Sequence, residues 1–177
     1  MFAPDHYVAA LRFAAERHAT QNVPGSDFPY VVHVVSVAAE VIAALAVDHV
    51  EAPELAVLCA LLHDTIEDTA TTHAELVAQF GTAVADGVAA LSKRDAIAKP
   101  DRMADSLRRI RAQPHEIWMV KLADRITNLA PPPAHWSADK RTAYREEAVV
   151  IADTLVGASP TLDVRIRARI ATYATYA

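Results

Sequence analysis

One cysteine and four glycines stand in a chain of 177 residues. Cys59 has no partner for an internal disulfide, so the chain is not a stapled secreted scaffold. In its apolar surroundings this thiol reads as a small core residue. No apolar run reaches the roughly 18 residues that a membrane-spanning helix needs, so no membrane partner is expected. The first residues, Met-Phe-Ala-Pro-Asp-His, lack the basic-then-apolar layout of a secretion signal. The expected compartment is the cytoplasm. There is no concentrated basic stripe and the pI is near 5.9, which argues against duplex nucleic acid as a partner. Basic charge is scarce in the first half. Residues 1–92 hold two basic side chains, Arg12 and Arg17, against twelve acidic ones, and residues 93–177 hold fifteen against ten. This asymmetry fits two differently solvated faces, or an acidic cradle for a cation followed by anchors for an anion.

An apolar content of 53% with 22% charged residues fits a folded protein. Residues 1–177 suit a single domain with one sizeable core. Abundant alanine, few glycines and prolines at segment edges predict an all-α fold. Helices are expected over 5–19, with Asp5 as cap, and over 30–47, apolar on nearly all sides and therefore central. Pro53 suits the first turn of a helix running through His63-Asp64 to Asp68. Thr72-His73-Ala74-Glu75 resembles a capping box before a helix that ends at Gly81. Further helices are expected over 82–92, 101–111, 114–129, from Ser137 to 157, and from Ser159-Pro160 onward. Residues 20–29 and 93–100 read as loops. The apolar final stretch, 166–177, suits packing on the core or an interface in a homo-oligomer.

Polar groups in apolar runs carry the functional signal. His63-Asp64 closes the run Leu55 to Leu62 and precedes Glu67-Asp68. Burying such groups unpaired costs roughly 2–7 kcal/mol each, so something must compensate. His33 and Asp124 occupy similar positions in separate segments. Each alone is weak: a lone histidine is more often a hydrogen-bonded core residue, and Asp124 could pair with Lys121 or Arg125. Together, two imidazoles and two carboxylates without a thiolate suit manganese, iron, cobalt or zinc. Such an ion acidifies water and neutralises phosphate oxygens. Glu67 and Asp68 follow His63 and Asp64 by four residues, which on a continuous helix stacks them on the ligands' face. They can then orient water or move a proton. Asn128 follows Asp124 by the same spacing and suits a ribose hydroxyl or a phosphate, or a helix-end cap. Lys121 and Arg125 suit phosphates or acidic partners.

The order His33, His63-Asp64, Asp124 resembles the HD-domain metal-dependent phosphohydrolases. Tyr30-x-x-His33, His63-Asp64-Thr65-Ile66-Glu67-Asp68-Thr69, Phe80-Gly81 and Lys121-Leu122-Ala123-Asp124-Arg125-x-x-Asn128-Leu129 resemble the hydrolase domain of RelA/SpoT enzymes. No synthetase domain follows, so the chain is most similar to the stand-alone small alarmone hydrolases. The resemblance implies a single HD-domain helical bundle and bound Mn²⁺. It implies hydrolysis of a small-molecule nucleotide 3′-pyrophosphate, (p)ppGpp or an adenine analogue, with release of pyrophosphate. Carried over, His33, His63, Asp64 and Asp124 are metal ligands, and Glu67 and Asp68 are the catalytic acids. Asn128 contacts substrate. Trp136-Ser137-x-x-Lys140-Arg141-x-x-Tyr144 resembles a stretch lining the nucleotide pocket and adds Lys140 and Tyr144. The family's basic pair before Tyr-x-x-His is missing, since residues 21–27 contain no lysine or arginine. Lys93, Arg94 and the arginines of 101–111 are the groups available to replace it. A phosphatase of another nucleotide, a deoxynucleotide or NADPH, is the alternative. An inactive nucleotide-binding HD domain would be marked by loss of a ligand or acid; all six residues are present.

Overall fold

The computed structural model describes residues 2–176. Ten α-helices form in chain order: α1 Pro4–Arg17, α2 Val31–Leu45, α3 Pro53–Leu62, α4 Thr65–Asp68, α5 His73–Phe80, α6 Thr82–Leu91, α7 Arg102–Arg111, α8 His115–Asn128, α9 Ala138–Thr154 and α10 Pro160–Tyr173. Short 3₁₀ turns precede α7 and follow α10. Among the described residues the only β feature is an isolated Asn22–Pro29 bridge. The fold is all-α, as expected.

The helix edges follow from local chemistry. Pro4, Pro53 and Pro160 sit in first turns, where no amide hydrogen is needed. Thr72, Ser137 and Ser159 each accept from the backbone amide of the third residue of the following helix. Asp5 does not cap α1. Ala3 holds that position without a side-chain bond, and Asp5 lies in the first turn. Gly81 joins α5 to α6 at φ +85°, a conformation that a side chain resists. Arg109 reaches from α7 to the carbonyls of Ala89, Ala90 and Ser92, satisfying the open end of α6.

Helices α2, α3 and α8 pack against one another at the centre. Val34, Val37, Val41, Leu61, Leu62, Met119, Leu122 and Ile126 are fully buried there. Cys59 is buried too, and burial raises its thiol pKa. Ile166, Ile170 and Tyr173 are buried, so the final stretch packs on the core. Close packing reaches its limit at Gly87. A Cβ there would lie 2.5 Å from Ile117 Cδ1 and 2.9 Å from Cys59 Sγ. Gly87→Val should therefore lower stability by about 1–3 kcal/mol. Urea unfolding with linear extrapolation checks this, and an unchanged midpoint would refute it.

The expected helix over 53–68 is not continuous. It breaks at His63-Asp64, where α3 ends and α4 begins. The reason is competition for backbone carbonyls. His63 Nδ1 bonds Ala60 O at 2.9 Å and Thr65 Oγ1 donates to Leu62 O at 2.7 Å. Side chains thus occupy acceptors that a helix would give to backbone amides. The break brings His63-Asp64 to the end of a buried helix, facing α2 and α8.

Candidate active site

Three helices supply the inner groups. His33 comes from the first turn of α2, His63-Asp64 from the α3–α4 break, and Asp124 from the last turns of α8. His33, His63 and Asp64 each offer a ligand atom within 4.8 Å of the others. His33 Nε2 and His63 Nε2 face each other at 3.3 Å. Asp64 Oδ2 lies 2.8 Å from His63 Nε2 and 3.6 Å from His33 Nε2. Asp124 Oδ1 lies 3.5 Å and 3.9 Å from the same two nitrogens.

The donor set fits a divalent ion. The contact to Ala60 O places the proton of His63 on Nδ1 and leaves the Nε2 lone pair pointing at His33 Nε2. Two imidazole nitrogens facing at that distance, flanked by two carboxylates, satisfy one another only around a shared proton or a cation. Burial alone would lower the His63 pKa, but Asp64 and Asp124 outweigh it and hold it at about 9. Burial opposes the charge of Asp64, yet His63 pulls its pKa down to about 2. Asp124 is also held low against burial, by Lys121 and the two histidines.

Every carboxylate has a further partner. Tyr30 Oη donates to Asp64 Oδ2 at 2.6 Å. Burial and the neighbouring Asp64 raise the Tyr30 pKa, so its proton stays in that bond. Lys121 Nζ donates to Asp124 Oδ2 at 2.9 Å, and Asn128 Nδ2 to Asp124 Oδ1 at 2.5 Å. Arg125 pairs with Glu147 and lies 4.4 Å over the Tyr144 ring. Both cations flanking Asp124 therefore hold acidic partners.

Despite the helix break, Glu67 and Asp68 line the same cavity as His63, Asp64 and Asp124. This cavity, of about 250 Å³, is bounded also by Tyr30, Lys93, Lys121, Arg125, Asn128 and Tyr144. Glu67 is held by both donors of Lys93, the backbone amide at 2.7 Å and Nζ at 3.1 Å. Burial, Asp64 and Glu67 raise the Asp68 pKa. Asn128 and Tyr144 also line a second cavity of about 630 Å³, with Phe28, Val32, Pro131 and Trp136, and no lysine, arginine, aspartate or glutamate faces it. Lys140 lines neither cavity, its Nζ resting 4.1 Å over the Trp136 ring. Of the basic groups considered as replacements for the missing loop pair, Lys93 reaches the site. Arg94, Arg108 and Arg109 line a separate surface groove with Asp86. Tyr30 stood in the sequence motif without a role. Its position three residues before His33, one turn back toward the loop, was the available signal.

Residues 10–153 match the family described as HD domain. The chain belongs to the HD-domain family. Relatives lie close to it along most of their shared length. A guanosine-3′,5′-bis(diphosphate) 3′-pyrophosphohydrolase, MESH1 of Danio rerio, is 31% identical over 162 residues, which cover 89% of this chain and 88% of that protein. A protein of the same activity name from Aquifex aeolicus is 34% identical over 123 residues, 68% of this chain but 17% of that one. The GTP pyrophosphokinase rsh of Brucella ovis is 33% identical over 174 residues, covering 93% of this chain and 22% of its own length. This HD domain thus spans nearly all of the first relative and about a fifth of the longer ones. Among solved structures, one described as "a metazoan ortholog of SpoT hydrolyzes ppGpp and plays a role in starvation responses" superposes with a TM-score of 0.85. It covers 97% of both chains at 23% identity, a likeness of fold. No helix among the described residues is long and apolar enough to cross a membrane.

Proposed function

We propose that this HD domain hydrolyses the 3′-pyrophosphate of a nucleotide, (p)ppGpp or its adenine analogue, releasing pyrophosphate. The observation that carries this reading is the approach of Asp64 and Asp124 to the facing His33 and His63, where His63, Asp64 and Asp124 share one cavity with Glu67 and Asp68 and His33 lines the adjoining one. The names of its relatives supply the substrate class. The chain acts as one domain over residues 1–177, in the cytoplasm, where its single thiol stays reduced. Manganese is the proposed ion, supported by the mixed nitrogen and oxygen donors.

His33, His63, Asp64 and Asp124 hold the ion, which when bound supplies positive charge that acidifies water and neutralises phosphate oxygens. The chain does the rest. Glu67, fixed by Lys93, accepts the proton of the attacking water. Asp68, whose pKa burial and the neighbouring Asp64 and Glu67 raise above the ordinary carboxylate value, donates a proton to the departing ribose 3′-oxygen. Water oxygen bonds to the phosphorus nearer the ribose as the bond from that phosphorus to the 3′-oxygen breaks, giving a free hydroxyl and pyrophosphate. Asn128, Lys121 and Arg125 face the phosphate side, and Tyr144 separates it from the apolar cavity that receives the nucleoside. Lys140 stands at the Trp136 edge of that second cavity and has the weakest claim to contact substrate.

A second reading, a phosphatase of a deoxynucleotide or NADPH, is favoured by one feature: the apolar cavity offers no charged group to the base. A nucleotide panel separates the two. Purified protein with Mn²⁺ should release pyrophosphate from ppGpp or its adenine counterpart, and a chelator should stop it. Orthophosphate from NADPH or a deoxynucleotide, with no pyrophosphate from either alarmone, would install the second reading instead.

A further inference from the structure

Helix α4 has four residues, too few to hold its own geometry. Thr69 then turns to extended backbone at φ −133° and ψ −179°, so the helix does not continue past Asp68. Something outside α4 must fix where Asp68 stands. The answer lies in the loop after α1. Gln21 Nε2 donates to the backbone carbonyl of Asp68 at 2.7 Å. Its other amide atom, Oε1, lies 2.5 Å from His18 Nδ1. The nitrogen of the amide is committed to the Asp68 carbonyl, so its oxygen is the acceptor and His18 carries its proton on Nδ1. That is the one hydrogen bond of the ring among the described residues, since His18 Nε2 is buried without a partner.

His18 is 2% exposed, and its backbone is tied into the same unit. Gln21 N donates to His18 O, and Tyr30 N donates to Gln21 O, both at 2.9 Å. The His18 ring lies 4.8 Å from the Tyr30 ring, and the Tyr30 hydroxyl reaches Asp64. From one buried imidazole the contacts thus run to the backbone of Asp68 and to the ring beside Asp64. Glutamine side chains on loops rarely hold one geometry unaided, because fixing such a chain costs about 1.5–2 kcal/mol of rotamer entropy. The histidine removes that freedom by taking the amide oxygen.

We propose that His18 and Gln21 are positioning residues: the histidine orients the glutamine amide, and the amide anchors the Asp68 carbonyl so that its carboxyl faces the site. This rests on Asp68 acting in the proposed hydrolysis, but its structural half can be tested without turnover. Nitrogen-15 NMR of the unaltered, zinc-loaded protein should show His18 as the Nδ1–H tautomer; the Nε2–H tautomer would overturn the assignment. In Gln21→Met, amide exchange at residues 65–69 should speed up at least tenfold while exchange in α3 stays as it was. Unchanged exchange overturns the anchor whatever the substrate proves to be.

The kinetic half uses three variants with the nucleotide that the panel identifies. Gln21→Met and His18→Phe, which keeps a ring over Tyr30, should each lose about 10- to 100-fold in kcat. KM and metal stoichiometry should stay within twofold. His18→Asn, whose amide N–H takes the place of Nδ1–H, should recover most of that loss. Full activity in Gln21→Met, equal losses in the Phe and Asn variants, or loss of metal from Gln21→Met would overturn the proposal.

Discussion

Asp124→Asn should strip the protein of its metal and reduce turnover to background. The carboxylate is buried, its Oδ1 faces both histidines and accepts from Asn128, and its Oδ2 accepts from Lys121. An amide of the same shape cannot accept from Lys121 and Asn128 while also offering charge to a cation. It also leaves the ammonium of Lys121, itself buried, without its counter-charge. Breaking a buried pair from one side costs about 3–5 kcal/mol, so a lower melting temperature should accompany the loss. Elemental analysis after dialysis, read beside turnover and thermal unfolding, checks the outcome. Full metal content in Asp124→Asn would remove this residue from the ligand set. Asp64→Asn should behave alike in metal content, because Asp64 lies nearest to His63 Nε2 and holds the Tyr30 hydroxyl.

Glu67→Gln should separate binding from chemistry. The variant keeps all four proposed ligands, so its metal content should match that of the parent. It loses the group assigned to take the proton from water, and kcat should fall by at least ~10²-fold, as for other general acid–base groups. Lys93 donates to Glu67 from both its backbone and its side chain. Glutamine can accept only one of these without turning its own N–H₂ toward the other. A local shift of Lys93 is therefore expected, with KM changing far less than kcat. A variant with normal turnover would move the proton acceptor elsewhere in the cavity, and one without metal would make Glu67 part of the ion's support.

The helices were legible because their punctuation is local. Pro53, Ser137 and Ser159-Pro160 act on their own backbone, and Gly81 supplies a conformation that few other residues tolerate. The break at His63-Asp64 was not legible. Apolar periodicity runs straight through it, and only the bonds of His63 and Thr65 to carbonyls behind them interrupt the ladder. The four inner groups announced themselves as polar residues in apolar runs, and the structure brings ligand atoms of His33, His63 and Asp64 within 4.8 Å of one another, with Asp124 Oδ1 at 3.5 and 3.9 Å from the two histidines. Tyr30 and Gln21 gave no such signal, since their partners lie 34 and 47 residues away and packing selects them, and His18, whose partner is three residues on, reads from its helical spacing as a residue of the α1 face. Lys121 pairs with Asp124 three residues on along α8, which its spacing already allowed, whereas the pairing of Arg125 with Glu147 of α9 is set by tertiary packing.

Tyr144 and Asn128 border both the polar chamber and the aromatic one, and His33 faces the aromatic one. In the proposed reading, bond cleavage and choice of nucleoside fall to two adjoining compartments that meet at these three side chains. On that reading, exchanges at Phe28 or Trp136, neither of which offers a ligand atom, change which base is accepted. A scaffold arranged in this way lets the base be exchanged while the carboxylates that face the scissile bond keep their own chamber.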